Sequence, residues 1–433
     1  MSPIELGVLG CIVLVVLLMC SLPVGFVMAV TGVVGYAVVI NTQAALSVLS
    51  ADLFDTLASY SLTVIPLFVF MGQVSFHAGI SGRLFNAAYH WLGWIRGGLA
   101  MAAVGACAAF GAICGSGPAT AATMAAVALP EMRKYGYDAR LASGTVAAGG
   151  GVGMLIPPSV VFIVYGILTE QSIGKLFIAG VLPGVVVAIL FCAVIMIWCT
   201  MRPSLAPRTQ RYSLREKMRS LSGVVETLVL FTFVMGGMFV GWFTPTEGAA
   251  VGAVGSVVIA AVGGNCSWRM LARAAEETVR TSCMVLVIVA GATMFGHFLA
   301  VTRIPGELAS WLTGLPLPGW MIVVLIMGFY LLAGCFIDAL ALVMLTVPIF
   351  YPVVMELGFD PIWFGVMIVL VTQMGVITPP VGVNVYVVSG ISRTIPLQTV
   401  FRGSVPFLLA LIVAVALLIL FPGMATYLPG LVH

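Results

Sequence analysis

Long apolar runs follow one another along almost the whole chain, separated by short polar stretches. Many of these runs reach or exceed the roughly 18 residues that a helix needs to cross a bilayer. The pattern therefore predicts an all-α polytopic membrane protein. Residues 6–22 form the first such run. Because Glu5 and no Lys or Arg precedes it, we expect a retained helix rather than a cleaved signal peptide.

Paired prolines interrupt two of the apolar runs, the first within residues 149–158 and the second within residues 375–382. A break at membrane depth leaves backbone N–H and C=O groups that must be satisfied by protein, water or an ion. Broken helices at corresponding places in two halves of a chain are typical of a transporter's binding site. We predict broken helices over residues 141–166 and 362–390.

Two further apolar segments, residues 98–130 and 319–352, have an unusual length. Two full spans with a turn would need more than about 40 residues, and a single span needs about 20. Each segment falls between these lengths and is interrupted near its middle, at residues 115–118 and 334–338. We expect two re-entrant helical hairpins, each entering and leaving the membrane on one side. A long, tilted and kinked helix is the alternative.

Basic residues predict the orientation of these segments. The densest cluster lies in a polar linker, residues 202–219, and consists of Arg202, Arg208, Arg211, Arg215, Lys217 and Arg219. The positive-inside rule makes this linker cytoplasmic. Counting crossings from it opens the first hairpin to the cytoplasm and the second to the outside. If residues 6–22 and 24–41 are separate helices turning at residues 21–23, the N-terminus is periplasmic.

The two halves, residues 1–201 and 220–433, are therefore predicted to be inverted repeats. Each would contain three helices, a hairpin, a broken helix and a closing helix. Residues 80–96 carry apolar side chains along one side, which predicts an amphipathic helix lying in the membrane interface with Trp91 and Trp94 as anchors. A counterpart is expected around residues 303–315. An ordinary loop is the alternative at both places.

Composition agrees with a membrane protein and narrows its chemistry. The chain is 61% hydrophobic and 8% charged, whereas soluble domains carry about 25% charged residues. Its nine cysteines include no C-x-x-C pair, and its net charge of +3 indicates no nucleic-acid partner. An intramembrane hydrolase would need a base beside its nucleophile, and Ser116 has no His or Lys nearby in the sequence. We therefore expect no enzymatic activity.

The helix breaks suggest sodium sites, because unwound carbonyls and hydroxyls supply oxygen ligands without a buried formal charge. Close helix packing is the alternative role of any single glycine. The candidate sodium ligands are Gly115, Ser116, Gly153, Leu155 and Pro158 in the first half, and Gly334, Asp338, Gly375, Ile377, Thr378 and Pro380 in the second.

Asp338 is the one acid within the apolar cores of the two predicted hairpins, where a charge costs about 2.5–3.5 kcal/mol on insertion scales. It could bind sodium, bind a proton or cap the second half of its hairpin. Neither hairpin core contains Arg or Lys. We therefore expect a carboxylate substrate to be held by helix N-termini and hydroxyl or amide groups. The candidate substrate residues are Thr120, Thr123, Ser159 and Asn384.

Several motifs resemble one transporter family over essentially the whole chain. They are Gly-Ser-Gly-Pro-Ala-Thr at residues 115–120, Leu-Ile-Pro-Pro-Ser at 155–159, Thr-Pro-Thr-Glu-Gly-Ala-Ala at 244–250, Ile-Asp-Ala-Leu-Ala at 337–341 and Val-Ile-Thr-Pro-Pro-Val-Gly at 376–382. The chain resembles the large membrane subunit of tripartite ATP-independent periplasmic (TRAP) transporters.

The resemblance implies a sodium-driven, elevator-type importer of organic acids, such as C4-dicarboxylates or sugar acids, in the bacterial inner membrane. It also implies two partners, a small four-helix membrane subunit and a periplasmic substrate-binding protein. A stand-alone sodium- or proton-coupled carboxylate symporter is the alternative.

Overall fold

The computed structural model describes residues 2–20, 22–207 and 212–431, and its regular structure over these residues is helical. The predicted all-α class is thereby confirmed. Ser21 of the first predicted turn and Arg208 and Arg211 of the basic linker lie outside the described residues. The helices of the first half are α1 (Pro3–Met19), α2 (Val24–Val39), α3 (Thr42–Ala58), α4 (Val64–His77), α5 (Ile80–Leu92), α6 (Gly98–Cys114), α7 (Gly117–Lys134), α8 (Ala139–Leu155), α9 (Val160–Leu168) and α10 (Ile173–Met201).

The second half begins with a short helix that starts inside the predicted linker, residues 202–219, and ends just beyond it. Its helices are α11 (Leu214–Ser222), α12 (Val225–Val240), α13 (Pro245–Val262), α14 (Trp268–Thr302), α15 (Ile304–Thr313), α16 (Gly319–Gly334), α17 (Ala339–Glu356), α18 (Pro361–Gly375), α19 (Val383–Ser392), α20 (Leu397–Leu420) and α21 (Gly423–Gly430).

Five helices in the described part of the chain are long and apolar enough to cross a membrane unaided: α10, α13, α14, α17 and α20. Three bent pairs could each form one further span, namely α3 with α4, α8 with α9 and α11 with α12, bent by 56°, 40° and 52°. By length and composition this gives up to eight spans. The chain is therefore a multi-pass membrane protein.

Helices of the first half pack directly against helices of the second half. Helix α2 packs along α14, and α4 packs along α13. Likewise α9 of the first half packs on α17, and α19 of the second half packs on α7. Glycines bring the backbones of α2 and α14 into direct contact, because a Cβ added at Gly32 would lie 2.8 Å from the Phe295 nitrogen.

The hairpins are longer than the sequence predicts. Helix α7 continues through Pro130 to Lys134, and α17 continues through Pro348 and Pro352 to Glu356. A proline removes one backbone donor and bends a helix, but a helix that packs against neighbours at membrane depth tolerates it. The prolines therefore do not end these helices.

Two amphipathic helices precede the hairpins, as the sequence predicts. Helix α5 buries Ile80, Leu84 and Phe85 and packs on α6, while Trp91 and Trp94 remain 39% and 51% exposed. It ends at Leu92, earlier than predicted. Helix α15 occupies the corresponding place before α16, with Trp311 exposed. Their depth in the membrane stays a prediction.

Candidate functional site

The tip of the first hairpin is attached to the break in the first broken helix. The chain turns at Gly115, whose left-handed backbone (φ 63°) separates α6 from α7. The Gly115 carbonyl accepts a hydrogen bond from the Val160 N–H at 3.3 Å, just beyond the break. One turn back, a Cβ added at Gly153 would lie 2.7 Å from the Gly111 Cα. We call residues 111–120 together with residues 153–160 the first clip.

The second hairpin is attached to the second broken helix in the same way. The Cys335 carbonyl accepts hydrogen bonds from the N–H groups of Val381 and Gly382, at 3.2 and 3.4 Å. The helices before the tip and the break touch through their backbones, since a Cβ added at Gly375 would lie 2.5 Å from the Gly334 carbonyl carbon. We call residues 334–340 together with residues 375–384 the second clip. Each hairpin tip thus meets its own helix break.

Two polar residues of the first clip are buried in its packing. The Thr120 hydroxyl donates to the Ser116 carbonyl at 2.8 Å and lies 3.0 Å from the Cys114 sulfur. The Ser159 hydroxyl accepts from the Phe162 N–H at 3.5 Å and caps α9. Neither residue has accessible surface. In this conformation both hydroxyls therefore form hydrogen bonds with backbone groups.

Asp338 has the geometry of a helix cap. Its carboxylate accepts a hydrogen bond from the Leu340 N–H at 3.1 Å, at the start of α17. Capping and ion binding are compatible, since a carboxylate has several acceptor sites. Elsewhere in the second clip, the Thr378 hydroxyl donates to the Met374 carbonyl at 2.6 Å. The Asn384 amide reaches across to the first half and donates to the Ala147 carbonyl at 3.0 Å.

The other candidate sodium ligands fall within the two clips but have different surroundings. Gly153, Gly334 and Gly375 lie at close backbone contacts, which is the packing role of glycine. The carbonyl of Pro158 faces Gly115, and that of Leu155 faces Gly180 of α10. The candidate ligands also differ in burial. Pro158 and Ile377 are buried, whereas Pro380 is exposed. The structure therefore brings the candidates together in two unequal clips, and their role as ligands stays a prediction.

One large cavity, about 1070 Å³ in volume, lies between the hairpin tips. Residues 115–119 of the first hairpin and residues 338–341 of the second line it, together with Thr123. Of the four predicted substrate residues, Thr123 is the one on this wall. Thr120, Ser159 and Asn384 lie behind it.

Part of the cavity wall comes from helices that the sequence pattern did not single out. Helix α4 contributes Gln73, and α14 contributes Glu277 and Thr281. Glu277 lies 3.1 Å from His77 of α4. A second pair, His297 of α14 and Asp52 of α3, is also 3.1 Å apart. In the sequence, this part of the wall could have been predicted from a polar residue within an otherwise apolar helix, such as Gln73 of α4.

Charges on the cavity wall have one sign in the described part of the chain. Asp338 and Glu277 are its charged lining residues, and no Lys, Arg or His lines it. One of these carboxylates belongs to the second hairpin and the other to α14. The lining described here therefore offers an entering anion no basic side chain, and His77 lies just outside it, 3.1 Å from Glu277.

Residues 11–424 match the family described as "Tripartite ATP-independent periplasmic transporter, DctM component". The chain belongs to this family. The match includes both clips and the cavity between them, so the resemblance carried by the motifs is confirmed. As a TRAP permease, the chain is a membrane transporter subunit and not an enzyme.

Individual relatives agree with this assignment. The chain is 39% identical over 383 residues to the C4-dicarboxylate TRAP transporter large permease protein DctM of Pseudomonas aeruginosa, covering 88% of this chain and 89% of that protein. It is 33% identical over 417 residues to the sialic acid TRAP transporter large permease protein SiaM of Vibrio cholerae, covering 96% of each. Among solved structures, the YdaH transporter of Alcanivorax borkumensis has a TM-score of 0.64 at 16% identity, covering 99% of this chain and 100% of that one. That likeness shows a shared fold.

Proposed function

We propose that the chain is the large membrane subunit of a sodium-coupled TRAP importer of an organic acid in the bacterial inner membrane. A periplasmic binding protein would deliver the substrate, and a small four-helix membrane subunit would complete the permease. The observation that carries this proposal is a large cavity bounded by both hairpin tips, whose lining, among the residues that the structure describes, includes acidic but no basic side chains.

The charge of the cavity wall supports cation coupling. An organic acid brings negative charge to a space already bordered by Asp338 and Glu277. Like charges repel more strongly where the surroundings are poorly polarisable than in water. Sodium bound at oxygens of the clips would offset this repulsion, so that substrate and ion would bind better together than apart. The carboxylate would contact Thr123 and the N-terminus of α7, where the helix dipole favours an anion.

The packing supports an elevator-type movement. Each hairpin is tied to its own broken helix, and α9 with α17 and α19 with α7 tie the two halves together. These elements would move as one body. Helices α2, α4, α13 and α14 pack on one another as a second group, which would remain fixed. The cavity lies between these two groups.

The position of the cavity supports an inward-facing state. The wall from α14 uses residues between Glu277 and Ile288, in the first part of that helix. This part follows Arg269 and Arg273 and contains Arg280, which the positive-inside rule makes cytoplasmic. Substrate released from the cavity would therefore leave toward the cytoplasm.

The substrates of the relatives guide the choice of substrate. The relatives described above are a C4-dicarboxylate and a sialic acid permease, and both of these substrates are organic acids. We therefore assign a carboxylate substrate, either a C4-dicarboxylate or a sugar acid.

Reconstitution into proteoliposomes tests the proposal. The chain, the small subunit and the binding protein are supplied together or with one component omitted, under an inward sodium or proton gradient. We expect uptake of a labelled C4-dicarboxylate or sialic acid only with all three components and the sodium gradient. Uptake by the chain alone would favour the stand-alone symporter, and uptake driven by protons without sodium would overturn sodium coupling.

A further inference from the structure

Helix α11 begins inside the predicted polar linker, residues 202–219, and ends at Ser222. A capping box starts it: the Glu216 N–H donates to the Ser213 hydroxyl at 3.3 Å, and the Ser213 N–H donates to the Glu216 carboxylate at 2.8 Å. The helix is bent by 52° from α12. If α12 crosses the membrane, α11 is strongly inclined toward the membrane surface.

The side chains of α11 are distributed as in helices that lie in a membrane interface. At 3.6 residues per turn, Leu214, Met218 and Leu221 fall on one face. Leu214 is 75% and Met218 61% exposed, so the apolar face is not covered by the rest of the chain. Arg215 and Lys217 flank this face on its two sides, and Arg219 lies farther round the helix on the side of Arg215. The acid Glu216 points the opposite way.

Aromatic residues hold α11 against the predicted interfacial helix α5. The Trp91 indole N–H donates to the Lys217 carbonyl at 3.3 Å, and the Lys217 ammonium lies 5.7 Å from the centre of the Trp91 ring. Just before α11, the Tyr212 ring lies 4.2 Å from that of His90. Indoles favour the headgroup level of a bilayer. The exposed Trp94 beside α5 is a second residue of this kind.

We propose that α11 binds the headgroups of anionic phospholipids. Leu214 and Met218 enter the boundary between headgroups and acyl chains, and Arg215, Lys217 and Arg219 contact lipid phosphates. The exposed apolar residues, the flanking cations and the continuity with α12 select a lipid surface over a protein partner. This site is separate from the cavity between the clips and does not depend on the transported substrate.

The same aromatic cluster connects the lipid site to the first hairpin. Tyr89 of α5 has its ring centre 5.4 Å from that of Tyr135, at the end of α7, and 5.5 Å from that of Tyr212. Lipids bound on α11 therefore hold α5 and the base of the first hairpin in place.

The purified full chain in nanodiscs provides the test. Native mass spectrometry counts phosphatidylglycerol and phosphatidylcholine molecules retained from an equal mixture, for the wild type and the triple variant R215Q/K217Q/R219Q. Each basic residue near a membrane surface contributes roughly a fivefold preference for anionic lipid. We expect the wild type to retain phosphatidylglycerol selectively and the variant to lose most of that selectivity. The matched control is R269Q/R273Q/R280Q on α14, with the same change in charge at exposed positions. Equal loss in the control would mean a general charge effect and would overturn the site.

Hydrogen exchange supplies a second measurement that does not depend on the variants. We expect the amides of residues 212–222 to exchange more slowly in phosphatidylglycerol than in phosphatidylcholine nanodiscs, with the difference reduced at high salt. Identical exchange in the two lipids would refute the proposal. Protection that appears only when the small membrane subunit is added would instead make α11 a protein interface, and would also refute it.

Discussion

The carbonyl of Gly115 accepts a hydrogen bond from the Val160 N–H at 3.3 Å, and this contact joins the tip of the first hairpin to the far side of the first helix break. A backbone group freed by the break is thereby satisfied by the hairpin. The second half repeats the contact between Cys335 and Val381 at 3.2 Å. Hairpin and broken helix therefore form one unit in each half, and variants at these contacts test that unit.

Gly111→Ala should loosen the first clip. A Cβ at this position would run into the backbone of Gly153, and overpacking of this kind typically costs about 1–3 kcal/mol. We expect a lower thermal unfolding temperature in detergent and reduced uptake in proteoliposomes. Gly105→Ala is the matched control on the same helix, because a Cβ there meets nothing within 4 Å. Equal behaviour of the two variants would contradict the close contact.

Asp338→Asn should separate the roles of this residue. Asparagine caps a helix about as well as aspartate, so the thermal stability should be preserved, whereas Asp338→Ala should lose about 1 kcal/mol. If the carboxylate also binds sodium, the Asn variant should lose sodium-driven uptake while remaining folded. Uptake with an unchanged sodium dependence would mean that Asp338 acts as a cap alone.

Cys114→Ser should strengthen ion binding at the first clip. Cys114 lines the cavity, and its thiol lies beside the Thr120 hydroxyl and the Ser116 carbonyl. Sulfur is a poor ligand for a hard cation, whereas a hydroxyl oxygen suits it. We expect the sodium concentration for half-maximal uptake to fall several-fold. Cys283→Ser is the control, because Cys283 lines the same cavity from α14. A similar shift in both variants would argue against a sodium site at the tip.

Glu277→Gln should ease the binding of an anionic substrate. Removing one of the two acids on the cavity wall lowers the repulsion that the substrate meets. We expect the half-saturating substrate concentration to fall a few-fold in uptake assays. Glu276→Gln is the control, since Glu276 is exposed and does not line the cavity. An unchanged or higher value for the Glu277 variant would show that its charge does not act on the substrate.

Local signals in the sequence were sufficient to predict where the helices break and where the chain turns between α6 and α7 and between α16 and α17. Paired prolines and glycines act on their own backbone, and the apolar length around them limits what they can form. The interior prolines Pro130 and Pro352 misled the prediction of hairpin ends, because packing in the membrane lets a helix continue through them. Helix α11 was missed although Ser213 and Glu216 have the spacing of a capping box.

The composition of the cavity wall could not be predicted in the same way. Glu277 is far from both clips along the chain, and its place on the same cavity wall as Asp338 depends on the packing of α14. The direction in which a hydroxyl points is equally hard to predict from the sequence. Thr120 and Thr123 are neighbours on one helix, yet Thr123 lines the cavity and Thr120 bonds the backbone of the tip. Only tertiary structure separates these two threonines.

Simultaneous uptake of ²²Na⁺ and labelled substrate by the complete reconstituted system tests the central claim most directly. Sodium-coupled transport predicts that substrate, delivered by the binding protein, causes sodium to enter the proteoliposomes with it, and that an outward sodium gradient drives substrate out. Accumulation of substrate without any sodium entry, sustained by a proton gradient alone, would contradict it.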